Sequence, residues 1–434
     1  MTSGPRPFQV VLFGGFALLF FLAIFLFATF SGDSGSRAQY GSVTIWGTLD
    51  QSIVSSHIRQ LGRDIDTMPS VTYRQVDERR FDTELVNAIA EGQQPDMILV
   101  SHKKLVQRRS MLFPINYDLI SQRQFSDTYI DGFDIFARPD GIYAMPLAVD
   151  PLIMYWNRDI YASNGFAQPP TTWETIVNSV VPTIVRRTTD RRIQMSPVAL
   201  GEYRNNRNAF SILSALMLQS GSRMVTEDAG RYQVNLNAGR SGGVSSPLTS
   251  AIQFYTQFAI PSSPLYSWSR TKQEDRTEFM AGDLATYFGH GSEAPVMERL
   301  NPNTNFDAAP LPQAADATIN RTYGDFYGFA ILRTAPNIDG AYAAAQTITS
   351  PQSAATLAEQ LNMAPAHRST IAAGTPGQIR QTIFNSALVA RGWLSPDDSA
   401  VGQIFQRATD DVLAGRTSAS GAASDLITRL RQQF

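Results

Sequence analysis

The residues best suited to chemistry in this chain are a few carboxylates with aromatic neighbours and one glycine-flanked histidine. His290 stands between Gly289 and Gly291, directly after an apolar, strand-like run. In such a turn, backbone N–H groups can approach a ligand closely. Asp150 and Glu202 form the one carboxylate couple suited to glycosidic bond cleavage, which needs two carboxyl groups near each other in space. Trp46 and the pair Phe326–Tyr327 fall at strand ends, and Tyr203 follows Gly201 and Glu202. An aromatic face beside a carboxylate suits a sugar, whose C–H face stacks while its hydroxyls donate to Asp or Glu. Packing in the core is the commoner fate of a single aromatic, so the grouping with polar neighbours carries this reading.

Other chemistries are poorly served. Cysteine is absent, which removes disulfides, thiolate nucleophiles, Cys-ligated zinc and iron–sulfur clusters. The four histidines, His57, His102, His290 and His367, are dispersed, with no HExxH and no close pair. There is no GxxxxGK[ST] phosphate loop and no GxSxG nucleophile elbow. The near-match GRSGG at 239–243 lies in a Ser/Gly stretch and reads as a linker. No metal and no cofactor is expected. With 36 Lys and Arg against 38 Asp and Glu, the net charge of −2 disfavours a nucleic-acid partner. Lysine occurs three times, as Lys103, Lys104 and Lys272, so arginine supplies nearly all the positive charge. A hydrophobic share of 43% with 17% charged residues belongs to a folded chain, and 434 residues suit two or three domains.

Residues 10–30 carry no charge. About 20 helical residues span a hydrocarbon core of about 30 Å, whereas the apolar stretch of a cleaved signal runs about 7–15. A transmembrane anchor is therefore the expected form, a cleaved signal peptide the alternative. Arg6 and the amino terminus precede the span, which places residues 1–9 in the cytoplasm and the C-terminal body outside. Residues 31–38, small and polar, read as a linker.

These side chains must be positioned by a body whose grammar is α/β. An alternating, β-branched strand at 42–50 is followed by a helix near 52–65. A strand at 70–76, a helix at 81–92 and a short apolar strand at 96–101 complete the series. Such alternation builds a parallel sheet covered by helices. Residues 140–166 contain two strand-like runs without a helical crossover, and Pro146 and Pro151 bracket the point where the chain leaves one lobe for another. Thr172 is a candidate N-cap. Further helices are expected at 209–220, 248–258, 340–349, 353–361 and 422–433, with a strand at 326–332.

Three stretches, in this order and spacing, resemble the family 1 extracellular solute-binding proteins of ABC importers. They are PLAVDPLIMYWNRDIYASNGFAQPPTTWETI (146–176), FMAGDLATYFGHGSEAPVMERLNPNTNFDAAPLP (279–312) and the segment 327–369, which opens YGFAILRTAPN. PDMILVS (95–101) adds to the match. The resemblance implies a two-lobe, periplasmic-binding-protein-like fold of type II with hinge strands. Lobe one would hold 39–148 and 326–375, lobe two 149–325 and 376–434. It further implies no enzymatic activity, capture of a small polar ligand between the lobes, most simply a sugar or oligosaccharide, and delivery to ABC permease subunits in the membrane.

Carried over residue by residue, the resemblance places Trp46, Asp50 and Gln51 at the first strand–helix turn. Ser101 and His102 follow the Pro-Asp strand, Asp150 holds the crossover carboxylate position, and Glu202 with Tyr203 match a carboxylate and a stacking aromatic. Phe326 and Tyr327 match the returning hinge strand, and His290 adds a polar contact. Many family members have Trp where this chain has Ser292. The following Glu293 is then an extra carboxylate that would suit an amino sugar or another cationic ligand. A membrane-anchored glycoside-acting enzyme, and a sensory or structural module with the same fold, remain the alternative readings.

Overall fold

The computed structural model describes residues 40–228, 230–237 and 246–434. The expected span at 10–30 and the GRSGG stretch lie outside the described residues. Among those described, no helix is long and apolar enough to cross a membrane.

The first lobe follows the expected alternation. Strand Ser42–Gly47 pairs in parallel with Ser70–Gln75 on one side and with Met97–Ser101 on the other. Helices Gln51–Asp64 and Glu78–Ala90 connect them, each started by an aspartate N-cap, Asp50 and Asp77. Val54 and Ile58 on the first helix, and Phe81 and Leu85 on the second, are spaced by four residues and buried against the sheet.

The second lobe is joined to the first by strands rather than by a flexible linker. Residues 145–157 form one continuous strand, Met145–Asn157, buried along its whole length. The expectation of two separate runs is thus corrected. Its first half pairs with Thr322–Ile331, which in turn pairs with Met97–Ser101 of the first lobe. From Leu152 onward it pairs with Leu284–His290 and with Phe306–Ala309 of the second lobe. The two prolines do not end the strand, because each falls where the ladder is already changing. Pro146 lies beside the register shift at Tyr327/Gly328, and Pro151 stands at the change of partner. Both lobes consequently share one 11-stranded sheet.

Elsewhere the turn chemistry agrees with the sequence. Thr172 accepts from the Thr175 N–H as N-cap, and Gly282 closes its helix at φ 83° before strand Leu284–His290. The C-terminal helix runs over Ala419–Arg431, packed against Asp398–Leu413, a helix the sequence pattern had not marked.

Candidate functional site

The change of partner within the hinge strand sets Asp150 directly opposite Asp325, with Val149 opposite Phe326 and Ala148 opposite Tyr327. Directly opposed residues on paired strands share a face, and that face alternates along each strand. Asp150 and Asp325 therefore share one face with Tyr323 and Tyr327, and Ser101 joins it opposite Tyr327. Phe326 belongs to the other face.

Two carboxylates this close to each other need cations or donors. Asp325 receives Lys103, whose Nζ lies 2.7 Å from Oδ2. Lys103 follows directly from the end of strand Met97–Ser101, so the first lobe supplies the counter-charge. Burial of Asp325 is outweighed by Lys103 and the neighbouring imidazoles, which bring its carboxyl down to about 2. Its Oδ1 is buried without a hydrogen bond. Lys103 is held charged in spite of burial by Asp325 and then Asp398, the latter at the start of helix Asp398–Leu413. Asp150 takes a different route. Burial raises its carboxyl to about 6, against two hydrogen bonds from Ser292, whose N–H and hydroxyl donate at 3.0 and 2.5 Å. Asp398 is likewise pushed up, by burial first. Asp325 and Asp398 thus share one ammonium at the junction of the lobes, while Asp150 relies on the Ser292 donors.

Around this centre stand half-buried groups. Tyr327, Tyr203, Ser101 and Ser292 each keep part of their surface exposed. Burial, then Asp398, raises the Tyr203 hydroxyl, so the phenol stays protonated. The arrangement offers carboxylate acceptors, one ammonium donor, hydroxyls and two partly open aromatic rings. Such a set can hydrogen-bond and stack a polyhydroxylated ligand. Asp150 and Glu202 are engaged by different groups, Ser292 and Arg270. Among the described residues no group of three or more acidic or imidazole side chains could hold a metal ion.

Several residues chosen from the sequence are instead consumed by structure. His102 is fully buried; its Nδ1 accepts from the Phe326 N–H and its Nε2 faces the Tyr323 hydroxyl. Burial drives its imidazole down to about 3. It packs the hinge, and both of its ring nitrogens already face protein groups. Phe326 is also fully buried, edge-on to Phe133 and His102. Trp46 is 6% exposed and Arg74 lies over its ring at 4.5 Å, so no open stacking face remains.

Glu293 corrects the idea of an extra ligand carboxylate. It turns into the second lobe, where Oε1 accepts from Asn208 and the His290 N–H and Oε2 accepts from Tyr287. The glycines around His290 also have a packing reason. A Cβ on Gly289 would strike the Tyr287 ring at 2.4 Å, and one on Gly291 would strike Ile383 at 2.8 Å. His290 itself donates from Nδ1 to the Asp150 carbonyl and meets Ser211 through Nε2. It braces the hinge strand behind Asp150. Glu202, 4% exposed, pairs with Arg270 at 3.1 Å.

The first strand–helix turn is similar. Asp50 caps its helix, accepting from the N–H groups of Ser52 and Ile53 through Oδ1. Gln51 and Gln75 exchange backbone-to-side-chain hydrogen bonds, and Gln51 Nε2 donates to the Tyr73 carbonyl. Asp325, Lys103, Ser292 and Asp398 were missed as site residues. Lys103 had one available signal, its rarity as one of three lysines; the others are ordinary in sequence and distinctive only by position.

The sequence profile of the family described as bacterial extracellular solute-binding protein matches residues 66–355. Among curated protein sequences none matches the chain significantly. Among solved structures, a cyclo/maltodextrin-binding protein complexed with maltotetraose superimposes with a TM-score of 0.72 at 15% identity, covering 93% of this chain and 98% of the other. The sugar-binding protein MalE of Xanthomonas citri gives 0.72 at 17% identity, covering 90% and 97%. The GacH receptor of Streptomyces glaucescens, solved unliganded and with acarbose, gives 0.69 at 16% identity, covering 91% and 98%. The fold of this chain is the two-lobe α/β fold that these proteins share.

Proposed function

Because this chain belongs to the bacterial extracellular solute-binding protein family, whose members bind rather than transform their solutes, we propose that it captures a sugar or oligosaccharide between its lobes for an ABC importer. The observation that carries the reading is the hinge crossing, where Asp150 and Asp325 face each other beside half-buried Tyr327. In this reading Asp150 and Asp325 accept from ligand hydroxyls, Lys103 and Ser101 donate, and Tyr203 and Tyr327 stack. The ligands named for the related structures, maltotetraose and acarbose, support the choice of sugar class. Lobe one would comprise 39–148 with 326–375, lobe two 149–325 with 376–434. Closure of the lobes would select the state that the permease subunits recognise. Residues 10–30 would tether the body to the outer face of the membrane as a single-pass anchor.

The test is a thermal-shift screen against maltotetraose, other oligosaccharides, monosaccharides, amino sugars, amino acids and polyamines. A ligand that binds the native state raises the melting temperature by mass action. A saccharide hit that Tyr203→Ala and Asp150→Ala both abolish is the expected result. A hit confined to amino acids or polyamines would sink the sugar assignment. No hit from a cooperatively folding sample would turn the reading toward a sensory or structural role.

A further inference from the structure

A second contact joins the lobes, separate from the hinge strands. In the first lobe, Arg109 and Arg138 lie on segments tied to its sheet through the Leu112–Leu332 and Ile115–Ile142 bridges. In the second lobe, strands Val225–Asp228 and Arg231–Val234 form an antiparallel pair that packs on helix Ala419–Arg431. From this pair Glu227 reaches across. Its Oε1 lies 2.5 Å from Arg109 and its Oε2 lies 3.6 Å from Arg138. The Glu227 side chain is only 3% exposed. The Tyr232 hydroxyl stands 3.2 Å from the same Arg109.

Each side of the contact is also held within its own lobe. Arg109 is fixed in its own lobe by Asp140 at 2.8 Å and by the Tyr143 ring beneath it at 4.9 Å. Arg138 donates to the Asp134 carbonyl at 2.8 Å. On the opposite side the Tyr232 ring packs 5.1 Å from Phe434. Preformed partners lose little conformational freedom on contact, so more of their attraction goes into joining the lobes. Separation would leave an acidic group and two guanidinium groups to be resolvated, whereas a single exposed pair would contribute little.

We propose that Arg109, Arg138 and Glu227 form an interlobe latch that stabilises the closed arrangement and thereby sets how tightly and how long this protein holds its solute. A two-state closure equilibrium scales the apparent affinity by the fraction of closed-competent molecules. The inference rests on the two-lobe fold and on these side chains, and is independent of which solute is bound.

The absence of cysteine makes the test direct. Val86 in the first lobe and Leu300 in the second are 54% and 60% exposed. The double variant Val86→Cys/Leu300→Cys of the full chain, in detergent, accepts two spin labels at defined sites. Pulsed electron paramagnetic resonance then reads the interlobe distance without added solute. The expected result is a dominant short distance, with the short-to-long ratio falling about tenfold on Glu227→Gln. Arg109→Gln on the other lobe gives the same shift and carries the test if Glu227→Gln does not fold. A labelled parent already dominated by the long distance overturns the proposal, as do well-folded variants with the parental distribution. Because no solute enters this measurement, failure of the latch and failure of the sugar reading give separate signals.

Discussion

The hinge crossing and the first strand–helix turn carry residues of the same chemical kinds, yet the structure uses them in opposite ways. At the turn, Asp50 is committed to its helix cap, Gln51 to its partner Gln75, and Trp46 to the guanidinium of Arg74. At the crossing, Asp150 and Asp325 face each other with chiefly Lys103 and the Ser292 donors to compensate, and Asp325 Oδ1 has no hydrogen bond at all. A local cap and the adjacent parallel strand Ser70–Gln75 satisfy the first region. The second is brought together by strands from distant parts of the chain, and it retains unspent acceptor capacity. Residue type alone therefore does not distinguish a site from a scaffold; the number of partners already taken does.

This contrast can be broken most severely at Asp325. Asp325→Ala leaves the Lys103 ammonium without its nearest counter-charge in a mostly buried place, and should lower unfolding stability by roughly 3 kcal/mol in urea titrations. An unchanged midpoint and slope would mean that the crossing tolerates its charges as easily as the surface does.

Asp150 gives a pH signature of smaller size. Its folded-state pKa, about 6, lies above the ordinary carboxylate value. The contribution to stability is thus complete below about pH 4 and is lost as pH rises through about 6. Asp150→Asn should flatten the stability profile between those values, by just under about 3 kcal/mol. A wild-type profile that instead gains stability over this interval from Asp150 would reverse the assigned sign.

At the turn the effects should be modest and confined to stability. Asp50→Ala removes an N-cap and should cost about 1 kcal/mol, with Asp50→Asn close to neutral. If calorimetry showed that Asp50→Asn also abolished saccharide binding, the turn would belong to the site after all. The smallest effect is expected for Arg74→Ala. It uncovers the Trp46 ring at a cost of about 0.5 kcal/mol, and a larger exposure of the indole should appear as increased fluorescence quenching by iodide.

Much of the architecture was legible because it follows from local rules. The alternation of strands and helices over the first lobe and the cap at Thr172 are each written within a few residues, whereas Asp50, read as a ligand contact, is in fact the cap of its helix. The hinge strand was half read: Pro146 and Pro151 suggested a break, since proline lacks an N–H donor. Only the pairing with Gly328 and the switch toward His290 reveals that the missing donors coincide with a register shift and a change of partner. His102 and Phe326 were chosen through neighbours in sequence, but alternation sends Phe326 to the face away from Tyr327, and burial neutralises His102.

What the amino-acid sequence by itself determined is the class of molecule: a cysteine-free, nearly neutral α/β chain with an uncharged apolar stretch at 10–30 and the motifs of a solute-binding family. Period, composition and turn residues act over a few positions, so they survive without knowledge of the fold. Which acidic groups remain available was decided only by tertiary structure. Glu293 is enclosed by Asn208, Tyr287 and the His290 N–H, Glu202 is matched by Arg270, and Glu227 is captured from the opposite lobe. Asp150 and Asp325 meet across 174 intervening residues because two hinge strands align there. Electrostatic interaction depends on distance and burial, and neither can be read from separation along the chain.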